Sequence, residues 1–569
     1  MTRAKVRWRA APEVDQAAVA SLSAALGIAE PVARLLVHRG FGDPEAAKRF
    51  LRPRLEQLHD GPAMMSLDIA VERLVRAVRA GELIMIHGDY DVDGICSTTL
   101  LVRAIRGFGG NVVPFIPNRM TDGYDLGAAG VKHALEIGAR VVVTCDCGTS
   151  ALEPVAALTA AGVDVIISDH HLSRGDMAQS LALLNPRRPD CEYPDKDLAA
   201  VGVAFKLALA LARALDASDA FIWKMLDLVA LATVADVASL RGENRIFVRY
   251  GMKMIADTEN VGLRALLRAS GMDGKPLTAG RIGFTLAPRL NAAGRLGHAL
   301  RGVELLLTDS QHEANTIARE LEELNQRRQA LDRSALDEAR AMAEPMVARG
   351  AIGLVLAKEG WHPGVVGIVA SRIVEEYSRP AILIAMEGAT GKGSGRSVGG
   401  FDLHSALGEC ADLLLRYGGH RAAAGVTIDA SKLDEFARRF DEVAKTRLSS
   451  DDLFPELRVD AELELDDAAL EIEPMLRHFE PFGVGNPSPI FAVRNVSISG
   501  SPRVIGRDGL KLTLVGQSGT SIEAIGWGMA ALAPALRSAA GVDAAFRLER
   551  DEYQGVSRLQ ARLADIVVR

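Results

Sequence analysis

The stretch His87-Gly-Asp-Tyr-Asp-Val-Asp-Gly94 follows the apolar run Leu83 to Ile86 and carries one imidazole and three carboxylates within seven positions. An ionised carboxylate loses much of its hydration energy when it is buried, so a cluster of carboxylates behind a buried strand needs a compensating cation. We therefore predict that this stretch follows a buried β-strand and begins a site for divalent metal ions.

Similar polar groups follow other apolar runs further along the chain. They are Cys145-Asp-Cys-Gly148 after Arg140 to Thr144, Asp169-His-His171 after Asp164 to Ser168, and Asp236 after Leu231 to Ala235. In an open parallel sheet, ligands bind outside the carboxyl ends of the strands. We therefore expect the groups that follow strands to converge on one crevice.

Together these groups offer enough oxygen and nitrogen ligands for two cations that share a bridging carboxylate. The predicted ligands are His87, Asp91, Asp93, Asp146, His170 and Asp236. Because imidazoles and carboxylates are mixed, the set favours Mn²⁺ over ions that prefer a cage of oxygens alone.

The composition limits the classes of protein to which the chain can belong. A length of 569 residues predicts three to five domains of roughly 100–200 residues each. The formal net charge of −7 argues against a nonspecific polycation but allows a locally basic channel. Five cysteines do not suggest a disulfide framework, and no apolar run is long enough to cross a bilayer. We expect a cytoplasmic protein that makes no membrane contact.

The chain divides into five predicted segments. Residues 1–60 are read as short helices that form an N-terminal cap. Strands and amphipathic helices alternate over 61–307, which is typical of a parallel sheet covered by helices. A long connecting helix over 308–349 leads to a smaller α/β domain over 350–451. Short alternating runs over 452–569 predict a C-terminal β-barrel, so the fold class is α/β with an added barrel.

Basic segments with glycine are candidates for phosphate binding, because guanidinium forks match phosphate oxygens and glycines expose backbone N–H groups. The segment Arg281 to Arg301 carries four arginines and no acid, and it is centred on Arg289, Asn291 and Arg295. Ordinary surface arginines would give the same pattern, so both readings stay open.

Four further residues extend this set of candidates. Ser394 and Arg396 lie in a glycine-rich segment, and His420 follows Gly418 and Gly419. Simple glycine turns would also explain these two segments. Arg119 lies in a loop after the run Val112 to Ile116, at the same predicted sheet edge as the acids. It is therefore a candidate anchor for a terminal phosphate.

Taken in chain order, several motifs resemble those of the Asp-His-His (DHH) phosphoesterase superfamily. They are HGDYDVDG, CDCG, SDHH and VADV, followed by RLNAAGR, GWHPGVVGIVASR, GSGRS and GGHRAAAG. Nearly the whole chain is similar to the members that digest single-stranded DNA. The resemblance implies a metal-dependent exodeoxyribonuclease, a phosphodiester hydrolase that works 5′→3′, releases 5′-mononucleotides and acts in DNA repair and recombination. It also implies a DHH domain, an associated substrate-binding domain and an oligonucleotide-binding (OB-like) barrel.

The resemblance further implies roles for individual residues. One Mn²⁺ or Mg²⁺ ion would be held by His87, Asp91 and Asp146, and a second by Asp93, Asp146, His170 and Asp236. His171 would face the scissile phosphate, while Asp89 and Asp169 would orient ligands. The 5′-phosphate would be bound by Arg119, Ser394 and Arg396, and the nearby strand backbone by Arg289, Asn291, Arg295 and His420.

Single-stranded DNA is the implied partner, a single-strand-binding protein and a helicase are candidate protein partners, and we expect a monomer. One rival function is hydrolysis of short substrates such as oligoribonucleotides, cyclic dinucleotides or pyrophosphate, which would not need the cap or the barrel. A second rival is a nuclease-dead scaffold. Such a scaffold should have lost metal ligands, and none of the predicted ligands is missing.

Overall fold

The computed structural model describes residues 6–173, 175–465, 472–553 and 556–569. Its first segment holds one strand and three helices: β1 (Arg7–Ala10), α1 (Gln16–Leu26), α2 (Glu30–His38) and α3 (Pro44–Leu51). Asp15 and Asp43 start α1 and α3, because their carboxylates accept hydrogen bonds from backbone N–H groups of the first turn.

The second segment is built on a five-stranded parallel sheet of order β3-β2-β4-β5-β6. Its first elements are α4 (Leu67–Ala80), β2 (Leu83–Gly88), α5 (Val92–Gly107), β3 (Asn111–Phe115), α6 (Ala128–Glu136), β4 (Val141–Cys145), α7 (Leu152–Ala160), β5 (Asp164–Ser168) and β6 (Ala182–Leu184). The central strand β4 is buried along its whole length. Helices on both faces of the sheet account for that burial, as the alternation in the sequence predicted.

A helical layer completes this domain. Its elements are α8 (Ala200–Ala214), α9 (Ala220–Lys224), α10 (Leu226–Ala235), α11 (Gly242–Ala256), α12 (Val261–Ala269), α13 (Ala279–Arg281), a π-helix (Ile282–Leu286), α14 (Ala287–Leu296) and α15 (Leu300–Leu307). The apolar run before Asp236 is therefore the helix α10 and not a strand. No described helix combines the length and hydropathy needed to cross a bilayer.

The predicted connecting helix is confirmed as α16 (Gln311–Ala348), which has 38 residues and a length of roughly 57 Å at 1.5 Å per residue. Its first half buries Ile317 and Leu321 in the core of the parallel-sheet domain. Its second half buries Leu336 and Ala339 in the core of the next domain. One helix thus contributes to two hydrophobic cores and fixes the spacing between them.

The smaller domain has a mixed five-stranded sheet of order β10-β11-β9-β8-β7. Its elements are β7 (Leu354–Glu359), α17 (Pro363–Tyr377), β8 (Ala381–Glu387), β9 (Thr390–Arg396), α18 (Leu403–Gly408), β10 (Arg416–Gly419), β11 (Ala423–Asp429) and α19 (Leu433–Arg447). β7 and β8 are parallel, while β8, β9, β11 and β10 are joined antiparallel.

The C-terminal strands close into a barrel, because β14 pairs with both β15 and β17. The strands of this segment are β12 (Glu456–Val459), β13 (Ala461–Glu462), β14 (Phe491–Ile505), β15 (Gly509–Val515), β16 (Ser521–Gly526), β17 (Val542–Tyr553) and β18 (Val556–Val568). The predicted α/β class with a long connecting helix and a terminal barrel is confirmed.

The N-terminal helices and the barrel share one hydrophobic core. Leu22, Leu35 and Phe50 pack in the same buried cluster as Phe491 and Phe546 of the barrel strands. In addition, β1 pairs in parallel with β12. The two ends of the chain therefore form one packed unit, although several hundred residues separate them.

This unit is fastened to the parallel-sheet domain by Arg245 of α11, which is only 2% exposed. The guanidinium donates hydrogen bonds to five backbone carbonyl oxygens, those of Phe50, His478, Phe479, Glu480 and Pro481. It also lies over the Phe50 ring, 4.1 Å from the ring centroid. One buried side chain thus joins α3, α11 and the loop that leads into the barrel.

Candidate metal centre

Strand register brings three aspartates to one edge of the parallel sheet. Gly88, Cys145 and Ser168 are paired neighbours at the ends of β2, β4 and β5. The next residue on each strand is Asp89, Asp146 or Asp169. The ladder continues through them, since the Asp89 N–H donates to the Cys145 carbonyl (3.1 Å) and the Asp146 N–H to the Ser168 carbonyl (2.9 Å). The predicted convergence at strand ends is therefore present.

Asp146 is at the centre of this edge and is only 1% exposed. Its backbone has φ of +64°, a left-handed conformation that costs a non-glycine residue about 1–3 kcal/mol. One Asp146 carboxylate oxygen lies 3.2 Å from Nε2 of His170, and the same nitrogen lies 3.7 Å from an oxygen of Asp236. Asp236 reaches the site from the C-terminal end of α10.

Potential ligand atoms gather in three overlapping groups, in each of which the atoms lie within 4.8 Å of one another. The groups are Asp93, His170 and Asp236; Asp146, His170 and His171; and Asp89, Asp91 and Asp146. Asp146 and His170 each belong to two groups. Such sharing is what two neighbouring cations with a bridging carboxylate require.

His87 does not belong to any of these groups, so its role as a metal ligand stays a prediction. His87 lies inside β2, is fully buried, and its Nδ1 contacts the Cys147 sulfur at 3.6 Å. Its Nε2 faces α6, where a Cβ on Gly130 would come within 2.8 Å of it. Asp89, for which the resemblance implied a role in orienting ligands, belongs to the group with Asp91 and Asp146.

Burial leaves the site with an unbalanced negative charge. Loss of hydration, together with repulsion from Asp91, raises the pKa of Asp93 to about 7. Burial and the charges of Asp93 and Asp91 raise the pKa of Asp236 to about 8, and they raise that of Asp146 well above its usual range. Among the described residues, no hydrogen-bond partner is found for buried side-chain atoms of His87, Asp89, Asp146 and His170. Carboxylates and imidazoles in this condition fit divalent cations.

His171 differs from its neighbours because Asp169 holds it. Its Nδ1 lies 2.8 Å from an Asp169 oxygen. Burial disfavours the imidazolium, but the hydrogen bond and charge of Asp169 outweigh it and raise the pKa of His171 to about 9. The Tyr124 hydroxyl lies 3.3 Å from Nε2 of the same ring. Asp169 therefore favours the protonated form of His171, whose ring lies next to the Asp146 carboxylate.

Asp93 faces the other ligands and is also hydrogen-bonded to the first turn of helix α8. Its two carboxylate oxygens accept hydrogen bonds from the N–H groups of Ala200 (2.9 Å) and Val201 (2.8 Å), and Ser97 donates a third. The first N–H groups of a helix have no partner within the helix and carry partial positive charge. This support could not be predicted from the sequence, because backbone donors leave no residue pattern.

A cavity of about 270 Å³ adjoins the acids and contains three of the predicted phosphate-binding residues. Arg119, Asn291 and Arg295 line it together with Asp91 and Asp236. The Arg119 guanidinium lies over the Tyr90 ring, and Arg295 donates to the Gly364 carbonyl of α17 at 2.9 Å. The cavity therefore lies in the parallel-sheet domain beside its contact with the smaller domain.

The remaining predicted residues lie outside the lining of this cavity. Ser394 and Arg396 lie against α17, where a Cβ on Gly367 would come within 3.3 Å of each side chain, and Arg396 is close enough to Arg119 for their charges to repel. Arg289 is bound to Glu322 and to the Thr285 carbonyl. His420 lies between β10 and β11, where its N–H donates to the Ala423 carbonyl.

Three family descriptions match successive parts of the chain. They are "DHH family, N-terminal domain" over residues 83–233, "DHHA1 domain" over 350–446 and "RecJ OB domain" over 459–565. With the convergent acids and imidazoles, these matches define a protein of the DHH phosphoesterase class that carries an OB domain at its C-terminal end.

Relatives called single-stranded-DNA-specific exonuclease RecJ match most or all of the chain. The relative from Bacillus subtilis is 35% identical over 572 residues, which cover 100% of this chain and 72% of the relative. The relative from Escherichia coli is 38% identical, and the matched region covers 80% of this chain and 82% of the relative. The crystal structure of RecJ in complex with Mn²⁺ from Thermus thermophilus matches with a TM-score of 0.85 and 34% identity, over 99% of this chain and 79% of that one. The chain belongs to the RecJ family.

Proposed function

We propose that this protein is a single-stranded-DNA-specific exonuclease that digests from the 5′ end and releases 5′-mononucleotides in DNA repair and recombination. The observation that carries the proposal is the set of buried ligand groups joined by Asp146 and His170. Such groups need cations, and a pair of cations is the standard apparatus of phosphodiester hydrolysis. The relatives named above act on single-stranded DNA, which supports the same substrate here.

The site residues fit two Mn²⁺ or Mg²⁺ ions, the metals bound in the two Thermus thermophilus RecJ structures. Asp93, His170 and Asp236 would hold one ion, Asp89 and Asp91 the other, and Asp146 would bind both. Bound divalent ions lower the pKa of a water molecule and stabilise the negative charge that develops on phosphoryl oxygens. In this assignment Asp89 takes the place that the sequence pattern gave to His87.

The chain's own residues then bind and orient the substrate. His171, whose protonated form Asp169 favours, would donate a hydrogen bond to an oxygen of the scissile phosphate. Arg119, Asn291 and Arg295 line the adjoining cavity, and with Ser394 and Arg396 they would hold the terminal phosphate and the next stretch of backbone. Arg289 would act indirectly, through Glu322, and a contact of His420 with the strand stays a prediction.

Further parts of the proposal concern the whole molecule. We propose the division 1–60, 61–307, 308–349, 350–451 and 452–569, with the last segment binding the strand. We also propose that the protein acts as a monomer in the cytoplasm, with a single-strand-binding protein and a helicase as partners. Gel filtration, and pull-down with either purified protein, test these points.

The test of the function is Asp146→Asn, with exposed Asp190→Ala as the control in the same domain. Asparagine preserves the volume and tolerates the positive φ of position 146, so the backbone should not change. Digestion of 5′-labelled strands with Mn²⁺ should fall by at least about 10²-fold in Asp146→Asn only, since even residues that merely orient metal ligands contribute 10–100-fold. Binding of single strands should persist.

The same assay separates the rival functions. Mononucleotides released from single strands, and not from duplexes or RNA, would support the proposal. A preference of the parent protein for di- or trinucleotides would indicate hydrolysis of short substrates. An inert parent protein that binds strands would indicate a scaffold, and full activity of Asp146→Asn would disprove the metal assignment.

A further inference from the structure

Arginines from three elements meet where α14, α16 and α17 approach one another. Burial, together with the positive charges of Arg119, Arg328 and Arg396, lowers the pKa of Arg295 to about 10. Burial also lowers the pKa of Arg328; the Asp332 carboxylate opposes this shift, and the charges of Arg372 and Arg289 add to it. These guanidinium groups therefore lie near enough to one another to interact. Arg328 belongs to the connecting helix, to which the sequence assigned no chemistry.

The carboxylates nearby neutralise only part of this charge. Arg289 pairs with Glu322, and Arg372 pairs with Asp332 at 3.0 Å. Within the described ranges, no carboxylate oxygen lies within 4.0 Å of a guanidinium nitrogen of Arg295 or Arg328. Like charges that lie near one another repel, so a cluster in which two of the arginines lack a direct ion pair favours the binding of an anion.

The orientation of Arg328 is fixed by a buried amide. One of its terminal nitrogens donates to the Asn325 side-chain oxygen at 3.0 Å, and Asn325 is only 1% exposed. The amide nitrogen of Asn325 and Nε of Arg328 are buried donors that have no acceptor among the described residues. A half-buried guanidinium held in one orientation loses little side-chain entropy when it binds an anion.

We propose that Arg328, oriented by Asn325, binds a backbone phosphate of the single strand beyond the terminal-phosphate cavity. This inference rests on the proposed function, because it takes the strand to run between the two domains that α16 joins. The connecting helix is then part of the strand-binding surface and not only a spacer. A purely structural role, in which Arg328 helps α16 pack on its neighbours, is the alternative.

Salt dependence of binding separates the two roles. The full chain is used with EDTA, so that no cleavage occurs, and the probe is a 5′-phosphorylated, 3′-fluorescein oligothymidylate followed by anisotropy. Loss of one phosphate contact to a single strand reduces the slope of log K against log salt by roughly 0.7. We expect Arg328→Gln to show this reduction and roughly tenfold weaker binding at low salt. Arg333→Gln, an exposed position on the same helix, should match the parent protein.

A charge-conserving variant guards against a folding artefact. Arg328→Lys should keep the parent slope and bind within roughly threefold of the parent, because the phosphate contact depends on positive charge. Two results would overturn the role of Arg328 without affecting strand binding by the protein as a whole. One is that Arg328→Lys binds as weakly as Arg328→Gln. The other is that Arg328→Gln keeps the parent slope of log K against log salt. If the parent protein fails to bind single strands, the proposed function fails with it.

Discussion

Replacing Arg245 by methionine tests how the N-terminal helices and the barrel are fastened to the parallel-sheet domain. Methionine keeps much of the length of the side chain but removes all five hydrogen bonds to backbone carbonyls. A hydrogen bond from a charged donor contributes about 1.5–3 kcal/mol, but five such values cannot simply be added. When the guanidinium is removed, water can replace it wherever a carbonyl can reach the solvent.

Exposure along the loop sets the size of the expected loss. Glu480 is exposed and His478 half-buried, whereas Phe50 and Phe479 are buried. The Asn486 amide also donates to the carbonyls of Phe479 and Pro481, so among the described residues only the Phe50 carbonyl is left buried without another donor. That carbonyl costs about 1–3 kcal/mol, and the lost hydrogen bonds to the other carbonyls add about 1 kcal/mol. We therefore expect a loss of about 2–4 kcal/mol. For a unit of this size, that loss lowers the melting midpoint by roughly 4–16 °C.

The assay is differential scanning calorimetry of the parent protein, Arg245→Met and the control Arg249→Met. Arg249 lies on the same helix and makes one exposed hydrogen bond to the Glu480 carbonyl of the same loop. Its loss should cost at most about 1 kcal/mol, which is the usual size of one exposed contact. Melting of Arg245→Met within about 2 °C of the control would show that Arg245 does not fasten this unit to the parallel-sheet domain.

Three further substitutions test the site and its approaches. Arg396→Ala should raise KM for 5′-phosphorylated strands roughly 10–100-fold, since a charged hydrogen bond contributes about 1.5–3 kcal/mol; an unchanged preference over 5′-hydroxyl strands would exclude this residue from the phosphate site. Proline is compatible with the first position of α8, but Ala200→Pro removes the N–H group that donates a hydrogen bond to Asp93. We therefore expect the Mn²⁺ affinity, measured by electron paramagnetic resonance, to fall roughly 10–100-fold, with little change in the melting temperature. Unaltered Mn²⁺ binding would show that Asp93 only caps the helix. Phe284, which is 88% exposed on the π-helix before α14, should stack on a base, so Phe284→Ala should weaken strand binding by about 1–3 kcal/mol in an anisotropy titration. Parent-like affinity would contradict a role in stacking.

The meeting of Asp89, Asp146 and Asp169 could be predicted because it depends on local order along the chain. Each aspartate follows an apolar, β-branched run, and parallel strands end at the same edge of a sheet. Neither step requires knowledge of distant contacts. Asp236 could be predicted as a member of the site but not as the end of a helix, because a short apolar run has no decisive periodicity.

The direction of the His87 side chain could not be predicted, because the exact end of β2 decides it. The strand continues to Gly88, so His87 projects from the sheet like Met85, two residues earlier. Met85 packs in the cluster that contains Leu126 and Ala134 of the α6 region, whereas Ile84 and Ile86 pack on the other face. Strand ends cannot be read from a sequence to that accuracy.

The shared core of the N-terminal helices and the barrel could not be predicted for a different reason. The amphipathic pattern of α2 and α3 shows that one face of each helix is buried, but it does not show what covers that face. The covering residues come from strands more than 400 positions away. The same limit hid the Arg245 contacts, since a carbonyl acceptor has no sequence signature.

The acids and arginines of the cleft share a cavity without neutralising one another. Arg119 and Arg295 line the same space as Asp91 and Asp236, yet none of these arginines forms an ion pair with either acid in the described part of the chain. Neutral groups hold some of the charges in place: the Tyr90 ring holds Arg119, the Gly364 carbonyl holds Arg295, and backbone N–H groups hold Asp93. A direct ion pair would cancel the charge and close the space. Because the carboxylates and the guanidinium groups are held apart, they need ligands of opposite charge. The carboxylates need cations, and the guanidinium groups need a phosphate. The 5′ end of a strand, bound together with metal ions, supplies both.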